Sequence, residues 1–286
     1  MNPRIEMFFD QASATFTYVV IDESSKCAAI IDPVWGYDDK SGRTSTTGSD
    51  LIIDLIKREG LTLEWILETH AHADHLTSAR YLKDTLGGKT AIGYGITQVQ
   101  KIFKGIFNIG DELKANGEPF DQLFADDDTF QIGNLTAKVL ATPGHTNDSV
   151  TYLIGDNAFV GDTLFMPDAG TARCDFPGGD AATLYESIQR LYTLPDNTKL
   201  YMCHDYQPNE RELLYVTTVK AQREANIHAN KTTKVEDFVC TREARDATLD
   251  MPRLILPAVQ VNIRAGNLPV AEANGIAYLK VPVNLL

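Results

Sequence analysis

Residues 68–75 read "ETHAHADH". Three histidines and one aspartate, His70, His72, Asp74 and His75, fall within six positions of a chain that holds only 6 histidines in 286 residues. The overlapping stretch "EWILET" (64–69) reads as a buried strand. In extended chain the side chains at i and i+2 share a face, so His70 and His72 can converge on one ion. Asp74 and His75 come after the chain turns, just before "TSARYLKDTLGG" (77–88), which reads as a helix ending on glycines. They approach the same point from another direction. Imidazole and carboxylate donors suit Zn, Fe, Mn or Ni. The bland alternative, surface histidines near a helix start, fits poorly with a cluster this dense behind a buried strand.

Other candidate ligands lie farther along. "TPGHTNDSV" (142–150) puts His145 in a Pro-Gly turn between two predicted strands. "AFVGDTLF" (158–165) ends an apolar run in Asp162, a carboxylate that needs a partner to offset its desolvation. "LYMCHDYQP" (200–208) places His204, followed by Asp205, at another strand end. Five of the 6 histidines thus occupy strand ends or strand-end turns, where sites are commonly built. His228, in "EANIHANK", reads as a surface or cap residue without function.

Around these motifs, "ATFTYVVID" (14–22) and "CAAIIDP" (27–33) read as a hairpin. "VWGYDDKSGRTSTTGSD" (34–50) reads as an exposed loop and "SDLIIDLIKREG" (49–60) as a capped helix. "TAIGYG" (90–95) reads as a strand, "TQVQKIFKGIF" (97–107) as a helix, and four short strands follow from Thr129. "GDAATLYESIQRLYTL" (179–194) is helical and "KLYMCHD" (199–205) a strand. Strand-rich and helical blocks alternate twice without strict βαβ order, which predicts an α/β (α+β) fold, an αββα sandwich. The expected organisation is a single domain over 1–286, with 207–286 as a C-terminal extension whose apolar stretch "LILPAVQVNIRAG" packs back on the body.

The net charge of −13 argues against nucleic acid or an anionic membrane as partner. Cys27, Cys174, Cys203 and Cys240 form no C-x-x-C pair, and reduced thiols of a cytoplasmic protein are expected. There is no basic-then-apolar leader at the N-terminus, and no apolar run near the ~20 residues that span a bilayer.

H-x-H-x-D-H, then T-P-G-H-T, then G-D-T, then a late histidine, resembles the metallo-β-lactamase superfamily over about residues 13–206. The resemblance implies that His70, His72 and His145 line one metal position. Asp74, His75 and His204 line a second, with Asp162 between them. Within the superfamily, G-x-x-R-x-D-F (170–176), H-D-Y (204–206) and "LPAVQVNIRAGNLPV" (256–270) resemble the persulfide dioxygenases and their bacterial β-lactamase-like hydrolase forms. That family implies a single Fe(II) on His70, His145 and Asp162, with His72, Asp74, His75, His204 and Asp205 as supporting or second-metal residues. It implies oxidation of glutathione persulfide by O2 and water to sulfite and glutathione, with a rhodanese or a sulfide:quinone reductase as pathway neighbours and a homodimer as a candidate assembly. Arg173 and Arg264 are the expected anchors for glutathione, although an Arg173 pair with Asp175 or Asp205 competes. Cys174 reads as a buried inert thiol. The alternative is a glyoxalase II-like thioester hydrolase with one or two Zn, against which "DHLTSA" stands in place of D-H-x-x-G-N. A metal-stabilised scaffold without activity is the third reading.

Overall fold

The computed structural model describes residues 2–285. In chain order its elements are β1 (Arg4–Asp10), β2 (Thr15–Asp22), β3 (Cys27–Ile31), β4 (Val34–Asp38), β5 (Arg43–Ser45), α1 (Thr47–Glu59), β6 (Thr62–Leu67), β7 (Leu76–Thr77), α2 (Ala79–Leu86), β8 (Lys89–Gly93) and α3 (Ile96–Ile106). They continue as β9 (Gln122–Phe124), β10 (Thr129–Ile132), β11 (Leu135–Ala141), β12 (Val150–Ile154), β13 (Asn157–Phe159), α4 (Ala181–Leu191), β14 (Lys199–Tyr201), β15 (Val216–Thr218), α5 (Val219–Ala225), α6 (Val235–Asp246) and α7 (Ile255–Asn262).

Two six-stranded sheets, β1-β2-β3-β6-β8-β9 and β10-β11-β12-β13-β14-β15, pack face to face with helices outside, as expected of an αββα sandwich. Strand β2 is buried along its whole length, which accounts for its apolar run from Tyr18 to Ile21. Phe16, Tyr18 and Val20 enter the core between the sheets with Phe130, Tyr152 and Phe159. Val19 and Ile21, on the opposite face, meet Ile52 and Ile56 of α1 and Leu82 of α2. A strand covered on both sides has no polar face. On the second sheet, Ala158 and Leu200 pack with Leu184 and Ile188 of α4 and with Phe238 of α6.

Topology gathers the motifs. β3 and β6 are parallel, as are β13 and β14. β11 runs in the same sense as β13, because each is antiparallel to β12. The residues just past these five strand ends, Asp32, His70, His145, Asp162 and His204, therefore emerge on one edge of the sandwich.

One local expectation is corrected, and one strand appears where none was expected. Residues 34–50 are not a bare loop: β4 and β5 form a ribbon there with Asp38 opposite Arg43, and β4 also pairs with β7. Its polar composition reflects exposed side chains, not a missing ladder. β1, which carried no strong strand signal, pairs with β2 from Arg4↔Ile21 to Asp10↔Thr15. In the C-terminal stretch, Ile255, Val259 and Ile263 pack with Phe103 of α3 and Phe176. No helix among the described residues is long and apolar enough to cross a membrane.

Candidate metal centre

The loop after β6 carries four of the candidate ligands, and three distant side chains fix its backbone. The Asp32 carboxylate accepts from the Thr69 amide at 2.7 Å and hydroxyl at 2.8 Å. Asp148 Oδ2 accepts from the Ala71 amide at 2.9 Å. Asn262, at the end of α7, donates through Nδ2 to the carbonyls of His72 and His75, both at 2.8 Å, and accepts from the Thr77 amide at 2.8 Å. Two glycines of the other motifs are dictated by contact. Gly161 has φ +52°, and a Cβ there would lie 2.7 Å from Thr69 Oγ1; at Gly144, φ +138°, it would lie 2.3 Å from Leu184 Cα. Only glycine lets the chain bring Asp162 and His145 so close to their neighbours.

Donor atoms of His70, His145 and Asp162 all lie within 4.8 Å of one another. Asp162 Oδ2 is 3.6 Å from His145 Nε2 and 3.9 Å from His70 Nε2. Asp162 Oδ1 turns the other way, 3.3 Å from His204 Nε2, which is 3.6 Å from Asp74 Oδ2. These gaps are too long for good hydrogen bonds. They suit donors that each sit about 2.0–2.2 Å from a shared cation. Five buried atoms here have no hydrogen-bond partner: His70 Nε2, His72 Nδ1, His75 Nε2, His204 Nε2 and Asp162 Oδ1. Each would cost about 1–3 kcal/mol if left unsatisfied, so their convergence fits a metal centre.

The tautomers follow from the partners. A carbonyl only accepts, so His145 Nδ1 carries the proton in its 2.7 Å bond to the Arg173 carbonyl and its Nε2 lone pair is left for a metal. His72 is turned over: Nε2 lies 3.0 Å from Asp32 Oδ1 and 3.5 Å from Glu68 Oε2, leaving Nδ1 as the free atom. Burial, helped by the neighbouring imidazoles His72 and His145, holds His70 well below its ordinary pKa and favours the neutral ring that a metal would need. Burial also opposes charge on His72, but Asp32 and Glu68 outweigh it and raise its pKa well above the usual range. Burial pushes Glu68 up to about 7. Burial opposes ionisation of Asp74 too, yet His204 and His75 beside it hold its carboxyl well below the usual range.

A cavity of about 570 Å³ opens on Asp74, His145 and Asp162 and is walled by Phe165, Arg173 and Tyr206. The seven motif ligands thus come together. The other expected residues do not all join them. Asp205 is held by Arg211 at 2.6 and 2.8 Å and accepts from the Leu214 amide. Arg173 lines the cavity, but Asp175 and the Asp250 carbonyl occupy its guanidinium. Arg264 is buried, bonds to Glu112 at 2.8 Å, and is not among the residues lining the cavity. Burial pushes the Cys174 thiol up to about 12, consistent with an inert thiol. His228 is not an idle cap: its Nδ1 accepts from the Thr171 amide at 3.1 Å and props the loop that carries Arg173.

Sequence reasoning missed Asp32, Glu68, Cys203 and Asn262. Asp32 ends an apolar run as Asp162 does, and the same desolvation argument would have found it. Cys203 lies beneath the centre, its Sγ 3.7 Å from Asp32 Oδ2, and burial with Asp32 nearby keeps it a protonated thiol. Nothing local marks Asn262.

A family profile described as the metallo-beta-lactamase superfamily matches residues 11–204. A beta-lactamase hydrolase-like protein of Xylella fastidiosa is 52% identical over the whole chain, which spans 66% of that protein's length. Glyoxylase B2 of Dictyostelium discoideum is 50% identical, covering 99% of this chain and 98% of its own. The mitochondrial persulfide dioxygenase ETHE1 of Bos taurus is 32% identical, covering 92% and 88%. The crystal structure of ETHE1 from Myxococcus xanthus superposes with a TM-score of 0.74 at 31% identity, covering 92% of this chain and all of that one. With its ligand motifs assembled on a shared sandwich edge, the chain belongs to the metallo-beta-lactamase superfamily.

Proposed function

We propose that the chain is an iron-dependent persulfide dioxygenase. It holds one Fe(II) on His70, His145 and Asp162 and converts glutathione persulfide, O2 and water to sulfite and glutathione. The observation that carries this reading is the grouping of two imidazoles and one carboxylate, with His145 and Asp162 facing an open cavity. A two-histidine, one-carboxylate set leaves neighbouring positions open for two substrates. Ferrous iron supplies a redox step that zinc lacks. The protein's own residues do the rest. The Arg173 carbonyl aims His145, and Asp162 presents one oxygen toward His70 and His145. Phe165, Ala172, Ile227 and Leu249 give the cavity an apolar lining suited to a low-polarity sulfur chain. The 32% identical persulfide dioxygenase supports the reading.

A second reading, hydrolysis of a glutathione thioester at two metals, is favoured by the partnerless Nε2 atoms of His75 and His204 and by the name of the Dictyostelium relative. Oxygen uptake separates the two. Protein loaded anaerobically with iron should consume one O2 per glutathione persulfide and release sulfite. Hydrolysis of a glutathione thioester without persulfide-dependent O2 uptake would overturn the proposal.

A further inference from the structure

The cavity that opens on the metal centre is also lined by four arginines, Arg173, Arg242, Arg245 and Arg253, in a chain of net charge −13. Three of the four are engaged. Arg173 is bonded to Asp175 and the Asp250 carbonyl. Arg242 is buried, held by Asp246 and the Thr171 carbonyl. Arg253 pairs with Asp39 at 3.1 Å. Arg245, exposed in the last turn of α6, makes no side-chain hydrogen bond and has no acidic group within 4.0 Å among the described residues. The acids of the lining sort as clearly. Asp168 is tied to Arg211 at 2.6 and 2.9 Å, while Asp74 and Asp162 belong to the metal centre. The cavity lining therefore joins residues of the metal centre, the apolar side chains Phe165, Ile227 and Leu249, and one uncommitted cation, Arg245.

We infer that Arg245 is the anion-gripping residue of this cavity: it takes a terminal carboxylate or phosphate of a thiol carrier whose sulfur lies at the metal centre. The guanidinium fork matches either anion bidentately, and Arg245 replaces Arg264 in that role. The inference rests on the proposed thiol-carrier substrate, but not on what happens to the sulfur. The competing account is that Arg245 only complements the C-terminal end of the α6 dipole, which would touch stability and not binding.

The test is calorimetric binding of S-methylglutathione, which has no persulfide sulfur to oxidise and no thioester to hydrolyse, to the intact chain. Arg245→Gln should weaken it about 10- to 100-fold, roughly what loss of a charge-assisted bond is worth. Arg245→Lys should recover part of that loss. The diethyl ester of S-methylglutathione should bind the unaltered chain weakly and be indifferent to the substitution. Arg245-dependent binding of S-methyl-coenzyme A in preference to S-methylglutathione would support the grip and identify phosphate as the anion. Equal binding by Arg245→Gln and the unaltered chain, or ester binding as tight as the free acid, would overturn it. Because the assay reads binding alone, neither result depends on persulfide oxidation, and absent O2 uptake would leave the binding result standing.

Discussion

The two sides of the metal cluster are built differently. On the His70–His145–Asp162 side, the Arg173 carbonyl commits His145 Nδ1 at 2.7 Å, and His70 Nδ1 meets the Thr69 hydroxyl at 3.0 Å, itself pinned by Asp32. On the Asp74–His75–His204 side, a single hydroxyl, Thr15 Oγ1, faces all three groups at 3.3–3.4 Å and also lies 2.8 Å from Ser13 Oγ, while the Ala14 carbonyl lies 3.3 Å from His204 Nδ1. One hydroxyl has one proton to give. Asp74 also spends its carboxylate on His75 Nδ1, at 3.2 Å. The outer ring nitrogens of the first side are held by shorter bonds to separate partners, whereas those of the second share longer ones, although Nε2 of His75 and His204 is as partnerless as that of His70. A complete set of ligand residues is therefore not the same as two equal metal positions.

Substitutions on each side test that contrast. The largest effect is expected for Asp162→Ala, which removes the carboxylate from the His70–His145–Asp162 side. It should cost more than the ~100-fold in metal affinity that even an outer partner can carry, with turnover lost; elemental analysis and O2 uptake read both. Next comes Asn262→Ala, which deletes the tie between α7 and the ligand loop. A metal-affinity loss of about 10–100-fold and about 1–3 kcal/mol of stability should appear in a metal titration and a urea melt. His75→Ala alters only the Asp74–His75–His204 side and should leave one ion bound; complete loss of metal would invert the contrast.

The smallest effect concerns the prop behind His145. Burial, with Arg242 and Arg245 nearby, holds His228 down to about 4 against an ordinary 6.5. Between those values the unfolded chain binds a proton that the folded chain refuses, so the group's contribution to stability falls as pH falls from about 6.5 to 4. In His228→Gln, denaturant melts across this window should show a flatter pH dependence than in the unaltered chain.

Much of this centre was legible because its ligands sit in contiguous signals. A buried strand leading into "HAHADH", a histidine in a Pro-Gly turn, and Asp162 at the end of an apolar run each announce themselves. What the sequence concealed was pairing at a distance. Asn262 acts on carbonyls 187 and 190 residues away, and no local pattern marks such a bond. Arg173 and Arg264 drew attention as cations near motifs, but a cation's role depends on which acids the fold puts beside it, here Asp175 and Glu112. In β4 and β5, exposed Ser, Thr and Asp hid strand geometry behind loop-like composition.

In the proposed reading, this cluster holds one redox-active ion on the His70–His145–Asp162 side. Elemental analysis of protein purified without oxygen measures it most directly. One iron per chain, retained by His75→Ala and lost from Asp162→Ala, is the predicted result. Two zinc ions per chain, both lost together when His75 is removed, would contradict it.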